Sequence, residues 1–226
     1  MKLINLALSN SIVGEYMAQL RDKNIQQSRM LFRRNICRIG SIMAYEISKT
    51  LRYSTKDIVT PLGIAPTATP DDDIILATVL RAGLPFHQGF LDVFDKADCA
   101  FVSAYRYYKD EKHKEIGACS EYLASSCIQG KTLIIADPML ATGGSLRLSY
   151  EALRTHGTPA TLHLCCVIAA QRGVDYIQDT FSDIPDATLW CAAIDPELNE
   201  DAYIIPGLGD AGDLAFGTKL STGTHD

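Results

Sequence analysis

Residues 131–157 read KTLIIADPMLATGGSLRLSYEALRTHG. The apolar run TLIIA (132–136) is short and continuous, as in a strand buried on both faces, and the run from Leu146 onward has helical periodicity. Between them stand an acid, a proline and the cluster Thr142-Gly143-Gly144-Ser145. A strand ending in Asp137 that passes into a helix opening on these residues offers free N–H groups, two hydroxyls and the positive end of a helix dipole to one phosphate. The competing reading is a plain strand-to-helix turn in which Ser or Thr caps the helix.

Working outward, similar apolar runs occur at 74–80 (IILATVL), 99–105 (CAFVSAY), 161–170 (TLHLCCVIAA) and 188–194 (TLWCAAI). Helix-like segments, LPFHQGFLDVF, SLRLSYEALRTHG and VDYIQDTF, separate several of them. The alternation predicts an α/β fold with a five-stranded, mainly parallel sheet and flanking helices. Ligands in such sheets bind beyond the carboxyl ends of the strands, where Arg81, Arg106, Asp137 and Asp195 fall. Upstream, Ile12, Tyr16 and Leu20, then Phe32, Ile36, Ile39, Met43 and Ile47, recur at three or four residues. That spacing predicts two amphipathic helices, a helical arm over 1–53 that precedes the sheet, followed by a Pro- and Gly-containing connection, TPLGIAPTATPDDD.

Two segments break the alternation. Residues 107–121 (YYKDEKHKEIGACSE) are polar and mixed in sign, which fits a flexible hairpin or active-site flap, with a solvated surface loop the commoner explanation. Near the C-terminus, IPGLGDAGDLAFGT is too rich in glycine for a helix or central strand and too apolar for a disordered tail. It predicts an ordered loop whose backbone approaches a ligand.

The 226 residues are 47% hydrophobic and 21% charged, an ordinary globular balance that favours one domain. A net charge of −6 gives no general attraction to nucleic acid or to an anionic membrane, so a phosphate must be met by a local site. There is no run of apolar residues long enough to span a membrane and no signal-peptide pattern, so a cytoplasmic protein is expected. The seven cysteines are odd in number without CxxC pairing, which fits reduced thiols, and the five histidines lack metal-ligand spacing. The sequence has no GxxxxGK[ST], and GLGDAG (207–212) lacks a strand-turn-helix context, which argues against nucleotide hydrolysis and hydride transfer. An acid beside a phosphate loop can instead hold the vicinal hydroxyls of a sugar. In LRAG (80–83), an arginine at a strand end precedes a glycine that lets the backbone turn toward an anion, and Arg106 gives a similar signal; the bland alternatives are a structural turn or a surface ion pair for LRAG and a plain surface arginine for Arg106.

LRAG, the strand ending Tyr105-Arg106, DPMLATGGS and LNEDAYIIPGLGDAGDLAFGTK (198–219) follow one another in the order and with the spacing of uracil phosphoribosyltransferases, and AYEISKTL (44–51) extends the resemblance over nearly the whole chain. The resemblance implies transfer of a phosphoribosyl group from 5-phosphoribosyl 1-diphosphate (PRPP) to uracil, giving UMP and diphosphate, with Mg²⁺ carried by PRPP and no direct protein ligand assigned. It implies that Asp137, Pro138, Met139, Leu140, Ala141, Thr142, Gly143, Gly144 and Ser145 bind the ribose and 5′-phosphate, and that Arg81 and Arg106 bind the diphosphate. Ile204, Gly209, Asp210 and Ala211 would form the uracil pocket in a hood over 195–219, with Asp210 also reaching PRPP. Arg81, Arg106, Asp137 and Asp210 are thereby the candidate catalytic residues. A backbone-lined pocket suits uracil, since a site that hydrogen-bonds a polar edge rejects analogues by roughly 10⁴ or more.

The chain departs from commoner members at LPFHQG after LRAG, in the flap, at Arg172 in AAQRG and at Asp201 in LNEDAY. These leave open the roles of His87 and Gln88, and regulation by GTP or UTP, but do not touch the phosphate loop. A homo-oligomer, a dimer or higher, is expected. The alternatives are a non-catalytic nucleotide sensor or RNA-binding attenuator on the same fold, which the net charge disfavours, and a transferase for another base.

Overall fold

The structure is a computed structural model that describes residues 1–108 and 116–219, and side chains outside 104–121. In chain order, β1 (Lys2–Asn5) leads through α1 (Ile12–Arg21) and α2 (Arg29–Ser48) to β2 (Tyr53–Thr60) and β3 (Gly63–Pro70). There follow β4 (Ile74–Val79), α3 (Gly83–Leu91), β5 (Asp98–Tyr108), β6 (Ile116–Ala124), β7 (Thr132–Ala136), β8 (Met139–Leu140) and α4 (Gly144–Leu153). β9 (Thr161–Ala170), α5 (Gln171–Thr180), β10 (Ala187–Asp195), β11 (Glu197–Leu198), β12 (Ile204–Ile205) and α6 (Ala211–Phe216) complete it.

An eight-stranded sheet carries the fold, in the order β1-β10-β9-β7-β4-β5-β6 with β8 beside β9. Every pair in it is parallel except β5–β6. The five expected strands are its contiguous centre, and β1, β6 and β8 widen it beyond the expected count. β1 is only four residues and is recruited by pairing along β10, from Lys2 opposite Thr188 to Asn5 opposite Cys191. β6 lies in the polar segment because an antiparallel edge strand need not be apolar on both faces. Residues 109–115, which hold the middle of the expected flap, lie outside the described residues.

All five residues of β7 are buried, as a strand covered on both faces requires. Alternation divides its side chains between two cores. Ile134 joins Val13, Met17, Leu20, Phe32, Ile36 and Phe86 on the α1–α2–α3 side. Leu133 and Ile135 join Leu146, Leu153, Val174, Ile177 and Phe181 on the α4–α5 side.

α2 buries all five residues that its periodicity selects, whereas α1 is turned by one residue. Its buried face is Val13, Met17 and Leu20, and Ile12 is 54% exposed. Val13 and Met17 offer the same spacing as Ile12 and Tyr16, and docking against α2 and β10 chooses between the two stripes. The stretch 60–73, read as a connection, contains β3, which pairs antiparallel with β2. Pro66 and Pro70 are tolerated because, among the described residues, neither strand of this ribbon has an outer neighbour. Near the C-terminus the glycine-rich segment does contain a helix, α6, whose N-cap Asp210 accepts a bond from the Asp213 N–H at 2.9 Å. The six described cysteines are free thiols.

Candidate active site

The strand order creates a switch point between β4 and β7, since the chain leaves β4 toward β5 on one side and β7 toward β9 on the other. Loops beyond these two strands therefore bound a crevice at their carboxyl ends. Residues 80–83 and 137–143 are those loops, and the first packs against the end of β7, where the second begins. A Cβ on Gly83 would lie 2.3 Å from Thr78 Oγ1 and 3.2 Å from the Ala136 carbonyl oxygen, so only glycine allows this approach. The Leu80–Arg81 peptide bond is cis.

In the second loop the Asp137 N–H donates to the Cys165 carbonyl at 3.0 Å, and the Asp137 carboxylate accepts from the Met139 N–H at 3.3 Å. The Pro138 carbonyl accepts from Val167 and Ile168, and β8 adds to β9, so the loop is anchored along the sheet. Leu140 and Ala141 are buried, which leaves only their backbone for a ligand. Gly143 then turns at φ 87°, in the left-handed region that favours glycine. α4 starts there with no side-chain cap, and among the described residues the hydroxyls of Thr142 and Ser145 make no hydrogen bond. The capping reading of the opening stretch thus does not describe this helix start. Its first N–H groups have no intrahelical partner.

Arg81 reaches from the first loop to the C-terminal segment. Its Nη2 donates to Asp213 Oδ1 at 2.6 Å and its Nη1 to the Gly217 carbonyl at 3.0 Å. Arg106 lies on β5, and its side chain is outside the described residues.

The 195–219 segment is held from below by Asp195, which is 5% exposed. Both its oxygens accept from Arg21 at 2.7 Å, Oδ2 also accepts from the Gly207 N–H at 2.8 Å, and Arg21 Nη1 donates to the Gly207 carbonyl at 3.0 Å. Burial alone would raise the Asp195 carboxyl, but the Arg21 and Gly207 bonds outweigh it and hold the pKa below its ordinary value. Asp195, at a strand end like the candidate site residues, is therefore committed to the scaffold. Above it Ile204 is buried, Gly207 (φ 61°) packs so closely on the Ile204 carbonyl that a Cβ would meet it at 2.0 Å, and Gly209 (φ 91°) leads into Asp210 and buried Ala211. The four residues expected to recognise a base thus lie in one short segment.

An open cavity of about 420 Å³ adjoins this segment, lined by Gln26 from the α1–α2 connection, by Arg29 at the start of α2 and by Gly209, Asp210, Asp213 and Leu214. Among the described residues no cluster of three His, Cys, Asp or Glu is placed to hold a metal ion. His87 is 3% exposed and edge-on to Phe101, and burial pulls its pKa down to about 4. It is a core residue, while Gln88, Arg172 and Asp201 are exposed; Gln88 bonds Asp92. Two residues without a sequence signal of function prove central, Arg21 and Asp213. For Arg21 nothing local points to a partner 174 positions away. For Asp213 the spacing Asp210-x-x-Asp213 is a helix-start pattern that an acid-rich first turn would have flagged.

The family model for uracil phosphoribosyltransferase matches residues 7–218. A uracil phosphoribosyltransferase of Porphyromonas gingivalis is 51% identical over 220 residues, covering 97% of this chain and all of that protein. One from Methanothermobacter thermautotrophicus is 37% identical, covering 93% and 94%. A solved structure from Aquifex aeolicus superposes with a TM-score of 0.84 at 27% identity, covering 97% of this chain and 100% of that one. With two strand-end loops at the switch point and a tethered C-terminal segment, and with the family's model matched over residues 7–218, the chain belongs to the uracil phosphoribosyltransferase family.

Proposed function

We propose that the protein transfers the phosphoribosyl group of PRPP to N1 of uracil. The bond from C1 of the ribose to the diphosphate oxygen breaks, the C1–N1 bond forms, the N1 proton is released, and UMP and diphosphate leave. The observation that carries this reading is the packing of the Arg81 loop against the end of β7, from which the Asp137 loop departs at the switch point of the sheet, with the Ile204–Ala211 segment tied to the same arginine through α6. In this reading the free hydroxyls of Thr142 and Ser145 and the uncapped N–H groups of α4 take the 5′-phosphate, and the Asp137 carboxylate takes the ribose hydroxyls. Pro138, Met139, Leu140 and Ala141 contribute backbone, and Gly143 and Gly144 let it come close.

Arg81 and Arg106 stabilise the charge that develops on the leaving diphosphate, while the loop orients C1 for attack from the opposite face. Mg²⁺ carried by PRPP would neutralise part of that charge, with no direct protein ligand assigned to it. Asp210 uses Oδ1 in its helix cap, so its second oxygen is the one disposed toward PRPP or the ion's water shell. Ile204, Gly209, Asp210 and Ala211 read the base. The reading also takes the protein to be cytoplasmic, where free thiols persist, and a homo-oligomer, supported by the exposed apolar side chains of the β2–β3 ribbon. An effector role for GTP rests on the resemblance alone and is tested by adding it to the assay below.

The test is conversion of labelled uracil, PRPP and Mg²⁺ to UMP and diphosphate, with cytosine, hypoxanthine and orotate in parallel. Absence of UMP, or preference for a purine, sinks the reading. Asp137→Asn should raise KM for PRPP or lower kcat by about tenfold or more, the worth of a charged hydrogen bond, with the melting temperature unchanged.

A further inference from the structure

The contact between Arg81 and α6 joins two parts of the candidate site that the sequence separates by more than a hundred residues. Arg81 is bound there by two groups, Asp213 Oδ1 on Nη2 and the Gly217 carbonyl on Nη1. A guanidinium has five N–H donors, so these bonds leave three for a ligand. The packing is flush: a Cβ on Gly212 would stand 3.0 Å from Nη2 and 3.1 Å from Asp210 Oδ1. The arginine therefore rests on the helix at the turn that begins with Asp210.

That turn is stiff. The Asp213 N–H donates to Asp210 Oδ1 at 2.9 Å, the Leu214 N–H to the Asp210 carbonyl at 3.0 Å, and the Gly217 N–H to the Asp213 carbonyl at 2.8 Å. One side of the turn thus meets the arginine, and its start is the Gly209–Ala211 stretch. The Arg81 and Asp213 side chains remain 37% and 29% exposed, and an ion pair so open to water contributes little to folding stability. What the contact does supply is orientation. Arg81 has a long stem that would otherwise sample many rotamers, and fixing one edge of its fork lowers the ordering cost when an anion binds the other.

We propose that Asp213 is a positioning residue that orients Arg81 for the diphosphate and couples diphosphate binding to base binding. This rests on the assignment of Arg81 to the diphosphate and of residues 204–211 to the base. A diphosphate held by Arg81 fixes the guanidinium, the guanidinium fixes Asp213, and Asp213 fixes the turn that carries Asp210. A base bound at that turn acts in the reverse direction by the same amount, since coupling between two ligands is reciprocal. The opposite role is a latch, in which the Asp213 carboxylate competes with the diphosphate for Arg81. The two differ in sign, because removing a competitor tightens the anion and removing a positioning group weakens it.

The experiment is calorimetric titration of uracil into the full-length protein with and without saturating magnesium pyrophosphate, and of pyrophosphate with and without uracil, for the wild type, Asp213→Ala and Asp213→Asn. UMP formation by the wild type is measured beside it. The wild type should bind each ligand about fivefold or more tightly in the presence of the other. Asp213→Ala should bind pyrophosphate about tenfold more weakly and lose the coupling, with Asp213→Asn intermediate because it keeps an acceptor for Arg81. If Asp213 only stabilised α6, both variants would melt earlier and bind uracil more weakly by one factor whether or not pyrophosphate is present, and the inference would fall. It also falls if Asp213→Ala binds pyrophosphate as tightly as the wild type or tighter, or if the wild type shows no coupling. A wild type that makes no UMP defeats the proposed reaction instead, a result distinct from all of these.

Discussion

His87 and His163 each carry a buried ring nitrogen, Nε2, with no hydrogen-bond partner among the described residues. His163 Nδ1 accepts from Trp190 Nε1 at 3.1 Å, which fixes its neutral tautomer, and His87 packs edge-on to Phe101. Burial pulls both pKa values down to about 4, opposed at His163 by the nearby Asp72 charge. In the unfolded chain a histidine titrates near 6.5, so between about pH 6.5 and 4 the unfolded state binds more protons than the folded one. The stability from the neutral rings is therefore present above pH 6.5 and is lost as pH falls toward 4, by up to roughly 3 kcal/mol for each. Melting temperature measured from pH 7.5 to 4.5 should fall in the wild type, and His87→Leu should remove close to half of the fall while changing little at pH 7.5; an unchanged slope would count against this account. At this scale the sequence is readable where a residue acts through its own backbone or its immediate neighbours. Gly143 and Asp137 stand in a motif whose local logic survives in the structure. It is unreadable where the role is a partnership, and neither the burial of His87 nor the bond from Arg81 to Asp213 has a local trace.

Among the elements, α1 and the end of β10 act on the C-terminal segment through one ion pair. Arg21 closes α1 and Asp195 closes β10, and together they hold the N–H and carbonyl of Gly207. Breaking a pair with one partner buried leaves an uncompensated charge, at a cost of about 3 kcal/mol. Arg21→Met should lower the urea midpoint accordingly and raise KM for uracil more than it lowers kcat, because the backbone of residues 204–211 loses its anchor. Adding Asp195→Asn should return part of the stability by removing the stranded charge; if the double variant is less stable than Arg21→Met, the pair is not the cause. The elements themselves were largely legible. Continuous apolar runs are the signature of strands covered on both faces, and all five such runs are strands of the parallel centre. What escaped has other support. β1 exists because β10 has an open edge, β3 because a two-stranded ribbon admits proline, and α6 because Asp210 caps a turn too short for periodicity.

For the whole molecule, the switch point explains why loops so far apart in sequence share one crevice, and parallel order made that expectation possible before any coordinate. Strand order cannot be read from apolar runs, since the runs carry no label of their neighbours. The β2–β3 ribbon is the part least explained by this single chain. Among the described residues it pairs with no other strand, and Leu62 is fully exposed at its tip, with Val59 at 84% and Ile64 at 67%. An isolated two-stranded ribbon is marginal in water, and contiguous exposed apolar side chains mark an interaction surface. A second copy of the chain is the occupant that the expected homo-oligomer supplies. Covering one valine and one leucine stabilises an interface by about 1.5–3 kcal/mol for each side chain, so charging both should weaken association on the order of a hundredfold or more. Sedimentation of the wild type at micromolar concentration should give the mass of at least two chains. Val59→Lys combined with Leu62→Glu should move it to one chain without lowering the helix content, since both side chains stand in solvent in the single chain. A wild type that sediments as one chain, or a double variant that stays associated, would separate the ribbon from assembly and leave its apolar tip to a different partner.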